Sequence, residues 1–409
     1  MTNGPLQGVK ILELSRVLAG PWAGQLLADY GADVIKIERP GSGDDTRQWG
    51  PPWLRDKKGN ATSESAYFQS ANRNKRSITV DFSHKLGQRI VTELAARSDV
   101  LIENFKFGNL ARYGLDSDSV RATHPALVYC SISAYNQSGS RAAQPGYDAM
   151  IQASAGLMSV TGASGGDDGP GGPQKVGVAI TDIMAGMYAV TAILAALHER
   201  NQSGEGQHIN VPLYESQVAW LANQNMNFLI GGDVPARQGT AHPNIVPYQV
   251  FEAMDGHLML TVGSDSQFRA CVTCLSMPEL ADNQRFATNV ARVEHRGELI
   301  ALMKIGFQKK TVSQWLELFA ASGVPAGPIN SIATVLSDEY ALERELVRQL
   351  PHTLAGSVPT VASPVQFSAG SNAYRRAPPL LGEHTDEILK GELGYDANTI
   401  SSLKQCGVI

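Results

Sequence analysis

Two kinds of side chain in this sequence have the type and placement for chemistry: an acid at the head of an apolar helix, and cations beside the ends of apolar runs. Asp182 follows the run VGVAIT and opens the stretch from Ile183 to Leu197. Its carboxylate can serve there as an N-cap that accepts a backbone N–H. The same place, apolar and poor in water, suits a carboxylate nucleophile held in one orientation, and the two roles need not compete. Arg39 ends one apolar run and Arg112 lies a turn beyond another. Either can pair with phosphates through charge-assisted hydrogen bonds, or simply face solvent. Phe105 can pack against a base or an apolar arm. The run NRNKRS at 72–77 adds Arg73, Lys75 and Arg76, readable as a solvated turn or as a phosphate contact. Cys271 and Cys274 form a C-x-x-C inside the helical pattern FRACVTCL. With no second Cys/His pair they read as helix packing, and no metal is expected.

The elements that must position these groups alternate. Residues 9–39 read as strand, helix, strand. SITVD at 77–81, the helical KLGQRIVTELAARS, VLIENF at 100–105 and LVYCSIS at 127–133 continue the pattern. Strands alternating with helices predict a mostly parallel, Rossmann-like sheet in a doubly wound α/β domain. Ligands of such sheets bind beyond the carboxyl ends of the strands. That rule gathers Ser15 to Ala19, Glu38, Arg39, Asp81, Asn104 and Phe105. Glu38 stands where a dinucleotide fold keeps its ribose-binding acid. The turn SRVLAGP, however, has one glycine where G-x-G-x-x-G needs three, so no nicotinamide cofactor is expected.

Beyond residue 160, GASGGDDGPGGPQKVG at 162–177 is too rich in Gly and Asp to pack and reads as a mobile surface loop without the G-K-[ST] of a P-loop. The helix after it carries Ala185, Ala189, Ala192 and Ala196 on one face and Ile183, Met187, Val190, Leu194 and Leu197 on another. It reads as buried on both faces and as short of the roughly 20 residues a bilayer span needs. The expected organisation is a large α/β domain over 1–200, a linker helix over 201–224, a smaller inserted α+β domain over 225–325 with a hairpin about Asp255-Gly256, and a return to the large domain over 326–409. A net charge of -5 over 409 residues offers no basic excess for nucleic acid. The start MTNGPLQGVK lacks a secretory or transit pattern, so the expected location is cytoplasmic.

Ordered motifs nearly end to end resemble the class III CoA-transferases, the family of formyl-CoA transferase and carnitine CoA-transferase that also includes the α-methylacyl-CoA racemases. They include ILELSRVLAGP, GADVIKIERPG, NKRSITVDF, IENFKFGNLARYGL, GYDAMIQA, TDIMAGMYAVTAILAAL, GQHINVPLYES and APPLLGEHTDEIL. The resemblance implies an interlocked homodimer and, as substrates, an acyl-CoA and a small carboxylic, even dicarboxylic, acid, with no tightly bound cofactor. It also implies acyl transfer through a mixed anhydride and an aspartyl-CoA thioester on Asp182. Coenzyme A contacts carry over to Val17, Leu18, Ala19, Arg39, Val80, Asp81, Phe82, Ser83, Asn104, Phe105, Lys106 and Arg112, with Tyr147 and Asp148 lining the reaction side. Leu18 stands where formyl-CoA transferase has Gln, which argues against a formate/oxalate exchange. Tyr147 stands where the racemases have their proton-handling His. A phenol, with a reference pKa near ~10, is a poor base at neutral pH, so racemisation is the runner-up. Binding of CoA without catalysis is the third reading. Arg47, His242 and Asn244, in expected loops, are candidate anchors for the acyl group.

Overall fold

The computed structural model describes residues 4–164 and 172–409. Its described residues fall into two compact units: 4–157, 176–229 and 339–409 form one, and 158–164, 172–175 and 230–338 form the other.

The first unit is built on six strands: β1 (Lys10–Glu13), β2 (Asp33–Glu38), β3 (Lys75–Thr79), β4 (Val100–Glu103), β5 (Val128–Ser133) and β6 (His208–Pro212). All pairings are parallel, in the order β3-β2-β1-β4-β5-β6. The order reverses between β1 and β4, which opens a crevice at their carboxyl ends. Successive residues point to opposite faces. Ile11, Val34, Val100, Ile102 and Cys130 pack with helices α1 (Ala19–Asp29) and α4 (Ile180–Ser203) on one side. Leu12, Ile35, Ile78, Leu101 and Tyr129 pack on the other with α2 (Lys85–Ala95) and the C-terminal residues Ile388, Leu389, Ile400 and Leu403. A third helix, α3 (Asp148–Ser154), precedes α4, and α5 (Leu213–Trp220) follows β6.

Three expectations change here. The stretch 201–224 is not one linker helix: its centre, His208–Pro212, is the sixth strand, where Ile209 and Val211 favour an extended chain paired to β5. The helical pattern after it breaks at Ala222, which has a φ of 47°. Helix α4 has 24 residues, long and apolar enough in composition to cross a bilayer. Its Ala185, Ala189, Ile193 and Ala196 are buried, whereas Met187 and Tyr188 are exposed, so it is not apolar and covered all round. The alanine face allows close approach: a Cβ on Gly186 would lie 2.8 Å from the carbonyl oxygen of Ala19.

The second unit holds an antiparallel sheet of β7 (Tyr248–Glu252), β8 (His257–Thr261) and β9 (Ala326–Pro328), with β8 central. The hairpin about Asp255-Gly256 is present. VPAGPIN, at the expected boundary between 325 and 326, supplies β9, where Pro328 is tolerated because the strand is at the sheet edge. Cys271 is buried in this unit's core and burial pushes its thiol pKa up, so the C-x-x-C packs as expected. Of the loop at 162–177, residues 165–171 lie outside the described residues. Its described ends are hydrogen-bonded, with Gly239 N–H donating to the Gly162 carbonyl at 3.0 Å and Gln174 N–H to that of Thr161 at 3.0 Å.

Candidate active site

The turn from β1 into α1 is held by side chains from elsewhere. Val17 sits at φ 69°, a left-handed conformation costly for a β-branched residue. Asn104, just past β4, grips Arg16 by accepting from its N–H at 2.9 Å and donating to its carbonyl at 2.6 Å. Asp44 accepts the N–H of Val17 at 3.1 Å, and Lys36 donates to the carbonyl of Ser15 at 2.7 Å. Beneath the turn lies a fully buried cluster. The Lys36 ammonium is 3.0 Å from Glu13 and 2.9 Å from Asp44, and Lys75 is 2.8 Å from Glu13. Two acids and two cations cancel, so the charge is satisfied away from water. Burial disfavours both cations. It lowers Lys75 to about 8, whereas Asp44, Glu13 and Glu38 together outweigh it at Lys36 and raise that pKa.

This cluster corrects the readings of NRNKRS. Lys75 belongs to it, Arg73 pairs with Asp29 at 2.6 Å, and Arg76 pairs with Asp33 and Glu392. All three are buried, neither a solvated turn nor free for phosphate. Arg47 is also buried, between Glu38 and Glu64, and therefore does not anchor an acyl group; Glu38 in turn is committed to Arg47 and Ser77.

The head of α4 differs from expectation in its cap. Asp182 is the third residue of the helix, and the capping carboxylate comes from Asp148. Asp148 Oδ1 accepts the N–H of Thr181 at 2.8 Å and that of Asp182 at 3.4 Å, while Gln152 donates to its Oδ2 at 2.6 Å. Thr181 also bonds Gln217, whose amide donates to the Ile151 carbonyl at 3.1 Å. The helix N–H groups that would have stabilised an Asp182 anion are thus spent on Asp148. Asp182 is 9% exposed. Burial first, and repulsion from Asp148 second, push its pKa from 3.8 up to about 7.

Asp182 opens onto a cavity of about 180 Å3 whose walls include Val17, Leu18, Ala19, Asn104, Phe105, Lys106 and Tyr147. A second cavity, of about 420 Å3, is walled by Arg39, Val80, Asp81, Phe82, Ser83 and Phe105. Phe105 stands in both, with Phe82 edge-on to it at 5.7 Å. The two cavities therefore gather thirteen of the fifteen anticipated positions, Asp182 and Tyr147 among them, and leave Arg112 and Asp148 outside their walls. Arg112 bonds Asn109 at 3.3 Å beside the ring of Tyr113. Asp148 faces the helix rather than the cavity. The strand-end rule gathered Arg16 within the run Ser15 to Ala19 without giving it a role, and the structure puts it in the walls of both cavities; sequence reasoning missed Asp44, Gln152 and Gln217, which fix the turn and the helix head. The pattern GDDTR beside the first turn was the one available signal for Asp44.

Comparison with known proteins identifies the family. Residues 6–385 match the model of CoA-transferase family III. Human succinyl-CoA:glutarate CoA-transferase is 44% identical over 405 residues, 99% of this chain and 90% of that protein. Succinate–glutarate CoA-transferase of Agrobacterium fabrum is 46% identical over 385 residues, 94% of this chain and 95% of its own. The crystal structure of a CAIB/BAIF family protein from Brucella suis superposes with a TM-score of 0.82 at 44% identity, covering 95% of this chain and 100% of that one. The family match spans nearly the whole sequence and the relatives align over almost their full length, so the chain belongs to CoA-transferase family III and is a CoA-transferase.

Proposed function

We propose that this enzyme moves CoA from succinyl-CoA to a small dicarboxylic acid such as glutarate, with Asp182 as the acyl carrier. The names of the relatives support the substrate class. The observation that carries the chemistry is a buried carboxylate at a cavity wall, with a pKa of about 7 and no cation among the causes of its shift. Such a carboxylate is half ionised near neutrality and poorly solvated, and both properties favour attack on a thioester.

One Asp182 oxygen adds to the thioester carbonyl, the C–S bond breaks, and CoA leaves as thiolate from a mixed anhydride. The thiolate then attacks the aspartyl carbonyl and releases the donor acid as carboxylate, leaving an Asp182–CoA thioester. The acceptor carboxylate reverses these two steps and departs as the new CoA ester. The cavity that holds Val80 to Ser83 and Arg39 suits the nucleotide, with Phe82 and Phe105 as aromatic faces. Racemisation would need a second proton-handling group. The side chain at that position is Tyr147, 68% exposed, which offers no desolvated base. Incubation with succinyl-CoA and labelled glutarate is expected to place label in the thioester. Deuterium exchange at the acyl α-carbon without an acceptor, and no label transfer, would favour the racemase instead.

The active form is, in this reading, a homodimer. Met187 and Tyr188 on α4, with Met226, Phe228 and Leu229 beyond α5, are large apolar side chains left exposed on one chain. Light scattering is expected to give twice the 43.8 kDa chain mass; a monomer at assay concentration would overturn this.

A further inference from the structure

Arg16 stands in the walls of both cavities, at the reversal between β1 and β4. Its backbone is among the most constrained in the site. Asn104 holds it from both sides, and the residue after it is the strained Val17. Its side chain is the opposite. The guanidinium lies 5.6 Å from the Phe105 ring centroid and pairs with Asp45 at 2.7 Å, and both members of that pair are half exposed, at 49% and 48%. An ion pair this open to water contributes little and exchanges readily. A rigidly seated arginine with an easily exchanged partner is suited to receive another anion.

The charge balance of the Asp182 cavity says which anion. Its walls bring two acids, Asp45 and Asp182, against two cations, Arg16 and Lys106. A dicarboxylic acyl group adds a further negative charge close to Asp182, where like charges repel strongly once water is displaced. A guanidinium offsets that charge with a planar fork that matches a carboxylate, which an ammonium does not. We infer that Arg16 binds the distal carboxylate of the acyl group, giving up Asp45 to do so, and thereby selects dicarboxylic acids. This rests on the CoA-transfer reading above.

The test compares succinyl-CoA and glutarate as substrates with free CoA as inhibitor, since free CoA has every phosphate and no distal carboxylate. Arg16→Gln is expected to raise KM for both succinyl-CoA and glutarate by about 10- to 100-fold, the range for a lost charged hydrogen bond, and to leave the Ki of CoA unchanged. Arg16→Lys should recover part of the loss, and Asp45→Asn should lower both KM values by removing the competitor. A parallel rise in the Ki of CoA would put Arg16 on a phosphate and overturn the inference, as would unchanged KM values. A wild-type enzyme that moves no CoA to glutarate would instead overturn the transfer reading itself, before any variant is made.

Discussion

Asp182→Ala is expected to fold, to bind CoA and to lose transfer entirely, because Asp148, the carboxylate that repels it, is turned toward the N–H groups of α4 and locked by Gln152, and Asp45 is paired with Arg16. Wild-type enzyme mixed with succinyl-CoA and hydroxylamine should be inactivated and carry a hydroxamate on the peptide containing Asp182, and omission of the acyl-CoA should protect it. The pH dependence follows from the cause of the shift. An acid raised from 3.8 to about 7 is protonated, and a poor nucleophile, below neutrality, so kcat/KM should climb through an acid limb near pH 7. Asp148→Asn keeps an oxygen to accept the Thr181 N–H but removes the repelling charge, so the limb should move to lower pH. Stability has its own sign. A raised carboxyl pKa means that the folded state binds the proton more tightly, so stability is lost as pH rises from about 3.8 to about 7 and levels off above. Asp182→Asn should therefore be the more stable protein at pH 8, by up to about 4 kcal/mol, with the gain vanishing near pH 4. Modification of Asp148 instead of Asp182, or a pH limb unmoved in Asp148→Asn, would refute this account.

What the sequence made legible divides along a physical line. Strands such as VKILEL and LVYCSIS declare themselves because both faces are buried and the apolar run is continuous. Their carboxyl ends located Val17, Arg39, Asp81 and Phe105 before any geometry. The polar network did not declare itself, since its partners are remote in sequence. Lys75 meets Glu13 across 62 residues and Thr181 meets Asp148 across 33, so a run such as NRNKRS reads as surface although every cation in it is buried. The glycines after the first strand have a structural use that their count alone does not show. The glycines of AGPWAG serve packing, for a Cβ on Gly24 would lie 1.9 Å from a carboxylate oxygen of Glu13. They keep α1 close to a buried ion cluster. The edge strand His208–Pro212 escaped notice because it is short and only part-buried, with helix-like sequence on both sides.

The largest stability effect is expected at Arg47, an apparent loop residue that the structure places at the centre of a second buried charge group. Its Nε and Nη2 reach the two oxygens of Glu38 at 2.7 and 2.8 Å, Nη1 reaches Glu64 at 2.9 Å, and Nη2 also donates to the Pro379 carbonyl at 3.0 Å. The guanidinium lies 3.6 Å from the centroid of Phe68. Burial pushes the Glu38 carboxyl up, but Arg47, Lys36 and Ser77 together outweigh it and hold the pKa below the ordinary 4.5; Glu64, for which burial prevails over Arg47, stays above it. Arg47→Ala leaves two buried acids without their cation, a loss of about 3–5 kcal/mol in unfolding free energy at pH 7. The deficit should shrink as pH falls toward 4, because wild type loses the stability that Glu38 supplies above its unfolded value while the variant is relieved by protonating both acids. Arg47→Lys keeps the charge without the fork and should fall between the two. Urea unfolding at pH 7 and pH 5 reads all three proteins. An Arg47→Ala enzyme as stable as wild type, with a raised KM for succinyl-CoA, would return Arg47 to the substrate and leave the seating of Glu38 unexplained.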